Sequence, residues 1–336
     1  MSLLSNWKEV IDTANLSPEK EMDLVSKWLI ITRAAVFSMT ATSGLIGGLL
    51  AAALTEKANY FNFALAVLGL VLAHAANNMI NDFFDMEGGV DTDEYTRALY
   101  APHPILSGLI SKRGLLTAIL AVNLIDATIM LYFTLTVGWP TLVFALAGLF
   151  ISVFYVAPPI KLKHIGLGEP GVFLVWGPLM IGGTYYVTAG TLPPPRVWLA
   201  CIPFALVVTT VLIGKHIDKR EVDQGKGIRT LPVIMGERPS LWMNQALMAL
   251  YYLVTLALVL SGTLGVWVLL VFLALPRLRQ VLKIYNEPKP AEAPEDYPVW
   301  PLWFVSAAFF HNKLAGGMFV LGLIINLILP YYIDLF

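Results

Sequence analysis

Long apolar segments and short polar connections alternate along almost the entire chain. A membrane-spanning helix needs about 20 apolar residues, and by that measure the pattern predicts nine spans. The predicted spans are 28–54, 60–81, 114–137, 140–156, 169–188, 197–215, 241–261, 264–282 and 313–333. The breaks at 138–140 and 261–264 contain glycine with proline or serine, which favours turns. The pattern therefore predicts an all-α integral membrane bundle of about nine transmembrane helices, with eight as the nearest alternative count.

The composition agrees with this class. Hydrophobic residues make up 57% of the 336 residues, charged residues make up 13%, and the mean hydropathy is +0.70. The net charge of −1 gives no reason to expect a nucleic-acid partner. The single cysteine, Cys201, cannot form an intramolecular disulfide. We expect one transmembrane domain over residues 1–336, in which residues 1–27 form a cytoplasmic or interfacial lead-in.

The positions of lysine and arginine predict the orientation in the membrane, because cytoplasmic loops carry an excess of these residues. Most of them lie at the N-terminus, at Lys313, or near the connections after spans two, four, six and eight. Only Lys57 and Arg196 fall on the other side. This bias predicts a cytoplasmic N-terminus and an external C-terminus, in what we expect to be a prokaryotic plasma membrane. Two acidic segments then face the cytoplasm together.

The first acidic segment, 81–91, begins where the second predicted span ends. On a continuing helix Asp82 and Asp85 share one face, with Asn78 and Asn81 on the adjoining turn. The Gly88-Gly89 pair lets the backbone turn, so that Asp91 can return to the same place. Carboxylates at a membrane helix end are costly unless a cation lies between them. The segment is therefore a candidate Mg²⁺ site, and a solvated helix end that helps to set topology is the alternative.

The second acidic segment, 218–223, follows another apolar run. Asp218 and Asp223 lie five residues apart, roughly 140° around a helix, so they address one site only if the helix ends between them. Glu221 is better placed relative to Asp218. Downstream, Arg229 and Thr230 follow a glycine-containing turn and are candidates for contacts with phosphate oxygens. A plain cytoplasmic loop is the alternative reading.

In this order, the motifs resemble the UbiA superfamily of membrane prenyltransferases and, within it, the MenA-like branch that prenylates 1,4-dihydroxy-2-naphthoate. The resemblance runs through most of the chain. It rests on Asn81-Asp82-Phe83-Phe84-Asp85 with Gly89 and Asp91, Ser107-Gly108, Tyr155 with Pro159, Gly166-Leu167-Gly168-Glu169, Gly183-Thr184-Tyr185-Tyr186, and Asp223, Gly227, Thr230 and Leu231. It implies a helical bundle around a central cavity, with two Mg²⁺ ions that bridge the acidic segments.

The chain also departs from the family pattern. Aligned on Asp223, the second segment has Lys219 where the family has an aspartate, with Asp218 or Glu221 as possible replacements. Lys215-His216 stands where paired asparagines are usual, and Arg33-Ala34 replaces an Arg-Pro pair. These departures bear on the acceptor more than on the metal chemistry.

Residues and resemblance together assign roles to particular side chains. The candidate metal ligands, direct or through water, are Asp82, Asp85, Asp91, Asp218 and Asp223. The candidate substrate contacts are Asn78, Asn81, Arg97, Tyr155, Lys161, Lys163, Tyr185 and Arg229. Catalytic roles are predicted for Asp82, Asp85, Asp218, Asp223 and Lys161. The role of His74 stays open between structural and catalytic.

The resulting hypothesis is a Mg²⁺-dependent intramembrane prenyltransferase. It would move an isoprenoid chain from an allylic polyprenyl diphosphate to an aromatic acceptor, 1,4-dihydroxy-2-naphthoate or a related quinone precursor. Its expected partners are these small molecules and the lipid bilayer, without an obligate protein partner. One alternative is a terpene cyclase of the same superfamily, which needs no acceptor. Another is a membrane ion-binding protein or transporter, whose acidic residues would more often lie near midspan.

Overall fold

The structure is a computed structural model that describes residues 3–333. The first two residues of the predicted lead-in and the last three residues of the predicted domain lie outside it. No β-strand occurs among the described residues, which confirms the all-helical prediction. The α-helices are α1 (Leu3–Thr13), α2 (Leu24–Ile31), α3 (Phe37–Leu54), α4 (Tyr60–Glu87), α5 (Thr96–Tyr100), α6 (Lys112–Thr136), α7 (Pro140–Phe154), α8 (Gly168–Leu174), α9 (Met180–Ala189), α10 (Pro195–Asp218), α11 (Arg220–Gly225), α12 (Leu231–Met235), α13 (Glu237–Leu260), α14 (Leu275–Asn286) and α15 (Phe304–Ile328).

Seven helical segments between residues 3 and 333 are long and apolar enough to cross a membrane. They are Ala34–Leu54, Tyr60–Glu87, Lys112–Thr136, Gly168–Ala189, Pro195–Asp218, Glu237–Leu260 and Phe304–Ile328. The predicted span 140–156 corresponds to α7, which is apolar but has only 15 residues. The predicted span 264–282 is a 3₁₀ segment, Val266–Ala274, that continues into α14. The predicted count of nine is therefore compatible with the structure, although two of the nine segments are short or irregular.

Helix α4 extends beyond the predicted boundary at residue 81. Asn59 caps its N-terminus by accepting a hydrogen bond from the Asn62 backbone N–H at 3.0 Å. The helix continues to Glu87, so Asp82 and Asp85 belong to its last turns. Both carboxylates are thus held on a regular helix and not on a loop.

Helix α15 begins nine residues earlier than the predicted span 313–333. The polar residues His311, Asn312 and Lys313 interrupt the apolar run, which is why hydropathy placed the start too late. His311 is nevertheless buried, and its Nε2 lies 2.8 Å from the Tyr252 hydroxyl on α13. A hydrogen bond within the bundle therefore satisfies one ring nitrogen of a polar residue that the sequence pattern treats as an interruption.

The span Gly168–Ala189 contains a π-helical turn at Val175–Leu179, around Pro178. Proline lacks a backbone N–H and disturbs the regular ladder of an α-helix. The Ser43 hydroxyl on α3 donates a hydrogen bond to the Trp176 carbonyl oxygen at 2.6 Å. The neighbouring helix thus satisfies one backbone group in the irregular turn.

The lead-in folds against the start of the bundle. Asp23 caps α2 through the backbone N–H groups of Val25 and Ser26, and also accepts a hydrogen bond from the Trp7 indole at 3.0 Å. Val10 of α1 is buried against Ile30 of α2. Hydrogen bonds from Ser26 and Trp7 hold the pKa of Asp23 well below its usual value.

The bundle has a lipid-facing surface and a hollow interior. Leu120, Leu124, Leu131 and Leu135 of α6 expose 55–77% of their surface, as expected for residues that face lipid. Helix α10 is the most deeply buried span and packs against α13 and α15. A cavity of about 960 Å³ lies between α3, α4, α6, α7, α9 and α10.

Candidate active site

The central cavity is apolar over most of its wall. Met39, Leu70, Phe133, Leu149 and Leu179 are among its lining residues. Along α4 it extends from Ala66 to Asn81, a rise of about 22 Å at 1.5 Å per residue. One end is polar and is lined by Arg33, Asn78, Asn81, Arg97 and Lys215. This shape suits a long apolar chain with a charged head group.

A second, small cavity adjoins the polar end. It is lined by Arg33, Asn81, Asp85, Asp91, Arg97, Tyr100, Tyr155, Lys163, Lys215 and Lys219. Six of these residues also line the large cavity, namely Arg33, Asn81, Arg97, Tyr100, Tyr155 and Lys215. The two cavities therefore meet, and five cationic side chains converge on the junction.

Asp82 has no exposed surface and is held by two guanidinium groups. Arg33 forms a salt bridge with its carboxylate, and Arg97 Nε lies 3.2 Å from Oδ1. Arg33 has a positive φ of 55°, which non-glycine residues rarely adopt. Such backbone conformations concentrate at functional sites.

Asp85 lies one helical turn beyond Asp82 and pairs with Lys163. The Lys163 ammonium is 2.8 Å from Asp85 Oδ2 and 3.0 Å from Oδ1, and both residues are buried. Lys163 comes from the connection after α7, so this pair joins two distant parts of the chain. The structure thus brings together two predicted site residues, as an ion pair.

Asp91 returns to the acidic face through the predicted glycine turn. Gly89 has a φ of 69°, and the backbone N–H groups of Val90 and Asp91 both donate to the Asp85 carbonyl oxygen. His103 Nε2 then lies 3.3 Å from Asp91 Oδ2 and 3.8 Å from Asp82 Oδ1. Asp91 is therefore part of the same buried cluster.

The acidic cluster fits one divalent ion. Ligand atoms of Asp82, Asp91 and His103 lie within 4.8 Å of one another. The His103 Nδ1 atom accepts hydrogen bonds from two backbone N–H groups at 3.3 Å, which puts the ring proton on Nε2. In this tautomer His103 directs its Nε2–H toward the carboxylates, although it makes no hydrogen bond to them among the described residues. Asp82 and Asp91 supply carboxylate oxygens, the ligand type that Mg²⁺ prefers, and Asp91 Oδ2 makes no hydrogen bond among the described residues.

The second acidic segment contributes a single carboxylate, Asp223. Its Oδ1 accepts a hydrogen bond from the Tyr95 hydroxyl at 2.5 Å, while the buried Oδ2 has no hydrogen-bond partner between residues 3 and 333. Burial, together with the Asp223 carboxylate, raises the pKa of Tyr95, so its hydroxyl stays protonated. The Lys219 ammonium lies 4.1 Å from the centroid of the Tyr95 ring.

Two lysines one turn apart face the small cavity. Lys215 and Lys219 both line it, and neither forms a salt bridge within 4.0 Å among the residues that the structure describes. Burial lowers the pKa of Lys219 to about 8, and the Asp223 carboxylate opposes that shift. The Lys219 ammonium is thus open to an anionic ligand, and Lys215 lies one turn before it on the same wall.

Tyr155 stands where the two cavities meet. Its hydroxyl lies 3.3 Å from His216 Nε2, and His216 Nδ1 lies 2.7 Å from Glu169 Oε1. Glu169 also accepts a hydrogen bond from the Leu231 backbone N–H. This chain of contacts fixes the Tyr155 ring between the apolar and polar regions.

The structure does not bring four of the predicted site residues into this group. Asp218 caps α15: it accepts hydrogen bonds from the Phe304 and Val305 backbone N–H groups and pairs with Lys289 at 3.1 Å. Lys161 and Arg229 line neither cavity, and Arg229 is exposed. Tyr185 is buried in the main apolar core.

Glu221 is no substitute for the missing aspartate, since its side chain is 85% exposed and pairs with Arg220. Sequence reasoning missed Arg33, Tyr95 and His103 as site residues. Arg33 was detectable as a charge inside an apolar run, whereas no local pattern marks Tyr95 or His103. His74 lines the large cavity, with its Nδ1 2.7 Å from the Thr40 hydroxyl.

Comparison with known proteins identifies a family and several relatives that cover most of the chain. Residues 40–314 match the model of the UbiA prenyltransferase family. A 1,4-dihydroxy-2-naphthoate octaprenyltransferase of Bacillus subtilis is 23% identical over 92% of this chain and 96% of its own length. A digeranylgeranylglyceryl phosphate synthase of Natronomonas pharaonis is 31% identical over 216 residues, which cover 63% of this chain and 70% of that protein.

Solved structures share the fold. A UbiA homolog from Aeropyrum pernix superposes with a TM-score of 0.65 at 17% identity, over 86% of this chain and 97% of its own. A UbiA homolog from Archaeoglobus fulgidus, bound to GPP and Mg²⁺, gives a TM-score of 0.58 at 15% identity, over 87% of this chain and 99% of its own.

Proposed function

The chain belongs to the UbiA prenyltransferase family, and from this premise we propose that it transfers a polyprenyl chain to 1,4-dihydroxy-2-naphthoate or a related quinone precursor. It is an integral, multi-pass membrane protein and a prenyltransferase. The observation that carries the proposal is the junction of a long apolar cavity with a small cavity lined by five cations. The nearly full-length similarity to a naphthoate octaprenyltransferase supports the acceptor.

The donor is an allylic polyprenyl diphosphate. Its isoprenoid tail would lie along the apolar wall between Asn78 and Ala66, where burial of apolar surface stabilises binding. Its diphosphate would lie where the two cavities meet, beside Arg97, because the small cavity has a volume of only about 10 Å³. One phosphate oxygen would enter the small cavity, which Lys163 and Lys219 line. Guanidinium and ammonium groups bind phosphate oxygens through charge-assisted hydrogen bonds.

The residues fit a divalent cofactor, which we propose to be Mg²⁺. Asp82 and Asp91 would hold it, and His103 Nε2 lies 3.3 Å from the Asp91 carboxylate. When bound, the ion would supply positive charge to the departing diphosphate. Arg33 and Arg97 already neutralise Asp82, and they keep that carboxylate ionised and oriented within the bundle.

The reaction begins when the bond between the allylic carbon and the diphosphate oxygen breaks. The electron pair goes to the diphosphate, and the surrounding cations stabilise its growing charge. The electron-rich acceptor ring then forms a bond to the allylic carbon. At the ring carbon that bears the carboxylate of the naphthoate, the bond to the carboxylate breaks, CO₂ leaves, and its bonding electrons restore the aromatic ring. The Tyr155 ring at the junction is placed to stabilise the allylic cation, and the apolar cavity keeps water away from it.

A glyceryl phosphate lipid is a second candidate acceptor. The similarity to the synthase of Natronomonas pharaonis is shorter but reaches 31% identity. A phosphate-bearing acceptor would also suit the cationic junction, where Lys215 lines both cavities. The two candidates differ in the nucleophile, which is an aromatic carbon in one and a hydroxyl oxygen in the other.

Mass spectrometry of products tests the proposal. The purified protein would be incubated with geranylgeranyl diphosphate and Mg²⁺ in three parallel reactions. The first contains the naphthoate, the second contains a geranylgeranylglyceryl phosphate, and the third contains no acceptor. We expect a prenylated naphthoate, and none with Asp82→Asn. Product only on the glyceryl phosphate would transfer the assignment to that acceptor, and a cyclised hydrocarbon without any acceptor would replace transfer with cyclisation.

A further inference from the structure

The second acidic segment has a lysine, Lys219, at the position where the family pattern has an aspartate. We propose that Lys219, aided by Lys215, takes the place of a second divalent ion and binds the diphosphate directly, so that the site takes one metal ion. This inference rests on the proposed function, because it takes an allylic diphosphate as the ligand.

The ligand set for a second ion is incomplete. Asp218 is occupied at the start of α15, and Glu221 is exposed, which leaves Asp223 as the only carboxylate of this segment near the site. One oxygen of Asp223, Oδ1, already accepts a hydrogen bond from the Tyr95 hydroxyl. Its other oxygen, Oδ2, is buried without a hydrogen-bond partner among the described residues, so one carboxylate oxygen is all that this segment offers a second ion.

The Lys219 side chain occupies the region between the two acidic segments. It lines the small cavity together with Asp85 and Asp91, and only 6% of its surface is exposed. The Tyr95 ring beneath its ammonium also donates the hydrogen bond to Asp223. A buried positive charge at this position repels a divalent ion and attracts an anion.

Lys215 strengthens the anion site. Residues four apart lie on one helical face, and Lys215 and Lys219 both line the small cavity from the C-terminal end of α10. Neither ammonium is paired with a carboxylate within 4.0 Å in the part of the chain that the structure describes. By contrast, Lys163 is already paired with Asp85.

The test counts bound metal in the absence of turnover. The detergent-solubilised protein would be titrated with Mn²⁺ in the presence of geranyl S-thiolodiphosphate, an unreactive donor analogue, and free Mn²⁺ would be measured by electron paramagnetic resonance. We expect one Mn²⁺ per chain. The Lys219→Asp variant, which restores an acid four residues before Asp223, is expected to bind two.

Two further variants separate charge from position. Lys219→Met should keep one Mn²⁺ but bind the analogue about 10- to 100-fold more weakly, as expected for the loss of a charged hydrogen bond. Arg220→Asp makes the same charge change as Lys219→Asp, but at the next residue, which lines neither cavity. It should bind one Mn²⁺ and the analogue as the unaltered protein does. Elution as a single species in size-exclusion chromatography verifies folding of each variant.

Two Mn²⁺ ions in the unaltered protein would overturn the inference and leave the proposed function standing. Unchanged analogue affinity in Lys219→Met, or a single ion in Lys219→Asp, would also contradict the assignment of Lys219. If the unaltered protein does not bind the analogue, both the proposed function and this inference are wrong.

Discussion

The Tyr95 hydroxyl donates a 2.5 Å hydrogen bond to Asp223 and so ties the two acidic segments together. Tyr95 lies four residues after Asp91, in the connection that follows α4, and Asp223 lies on α11 just beyond α10. Both residues are buried. The contact fixes the distance between the segments before any substrate binds, which is a form of preorganisation.

Tyr95→Phe should loosen this connection. Loss of the hydroxyl leaves the Asp223 carboxylate buried without a hydrogen-bond partner, at a cost of about 1–3 kcal/mol. We expect lower thermal stability in detergent and a reduced kcat/KM. Tyr100→Phe is the matched control, since Tyr100 lines both cavities but its hydroxyl makes no hydrogen bond among residues 3–333. Equal effects of the two substitutions would argue against a special role for Tyr95.

Asp82 and Asp218 should respond differently to substitution. Asp82→Asn removes a candidate metal ligand and should lower kcat by at least about 100-fold, comparable to the loss of one key electrostatic contact in other enzymes. Asp218→Ala removes the cap of α15 and should cost about 1–2 kcal/mol of stability while the folded protein stays active. Steady-state kinetics and thermal unfolding distinguish the two. A metal-ligand role for Asp218 would instead appear as inactivity of a normally stable variant.

Tyr155 is predicted to act through its ring. Tyr155→Phe keeps the aromatic face and loses only the contact with His216, so kcat should change little. Tyr155→Leu removes the face and should reduce kcat roughly 3- to 30-fold, which corresponds to about 0.5–2 kcal/mol of cation–π stabilisation. Kinetics with a single donor measure both. A greater loss in Tyr155→Phe than in Tyr155→Leu would assign the role to the hydroxyl.

The far end of the large cavity should limit the length of the isoprenoid chain. Ala66 lines that end and lies beside Phe133 and Val187. Ala66→Phe would fill the space, and we expect preference to shift toward shorter donors. Leu68→Phe, on the lipid-exposed side of the same helix, is the control. Competition between farnesyl and longer diphosphates, followed by mass spectrometry, gives the ratio, and an unchanged preference in Ala66→Phe would place the tail elsewhere.

Local sequence patterns predicted most of the long helices and the arrangement of the first acidic segment. Hydropathy located the long spans because lipid-facing surfaces such as that of α6 are uniformly apolar. The spacing of Asp82 and Asp85 and the glycine turn before Asp91 also depend only on nearby residues. Such features follow from helical geometry and backbone freedom, which a sequence displays directly.

The remaining site depends on contacts between distant residues. Nothing near Asp218 in sequence shows that α15, some 86 residues later, needs its carboxylate as a cap. Likewise, Lys163 and Arg33 meet Asp85 and Asp82 only after several helices have packed. The sequence therefore identified many of the chemical groups, whereas the three-dimensional packing determined which of them share a cavity.

Release of pyrophosphate by the purified protein reports cleavage of the bond between the allylic carbon and the diphosphate, which is the step that the cationic site is proposed to promote. With geranylgeranyl diphosphate, Mg²⁺ and the naphthoate, we predict pyrophosphate release equal to the prenylated product. Release should stop when the metal is chelated or Asp82 is replaced by asparagine. No release with any acceptor, or equal release without Mg²⁺, would show that this site does not promote Mg²⁺-dependent cleavage of the diphosphate.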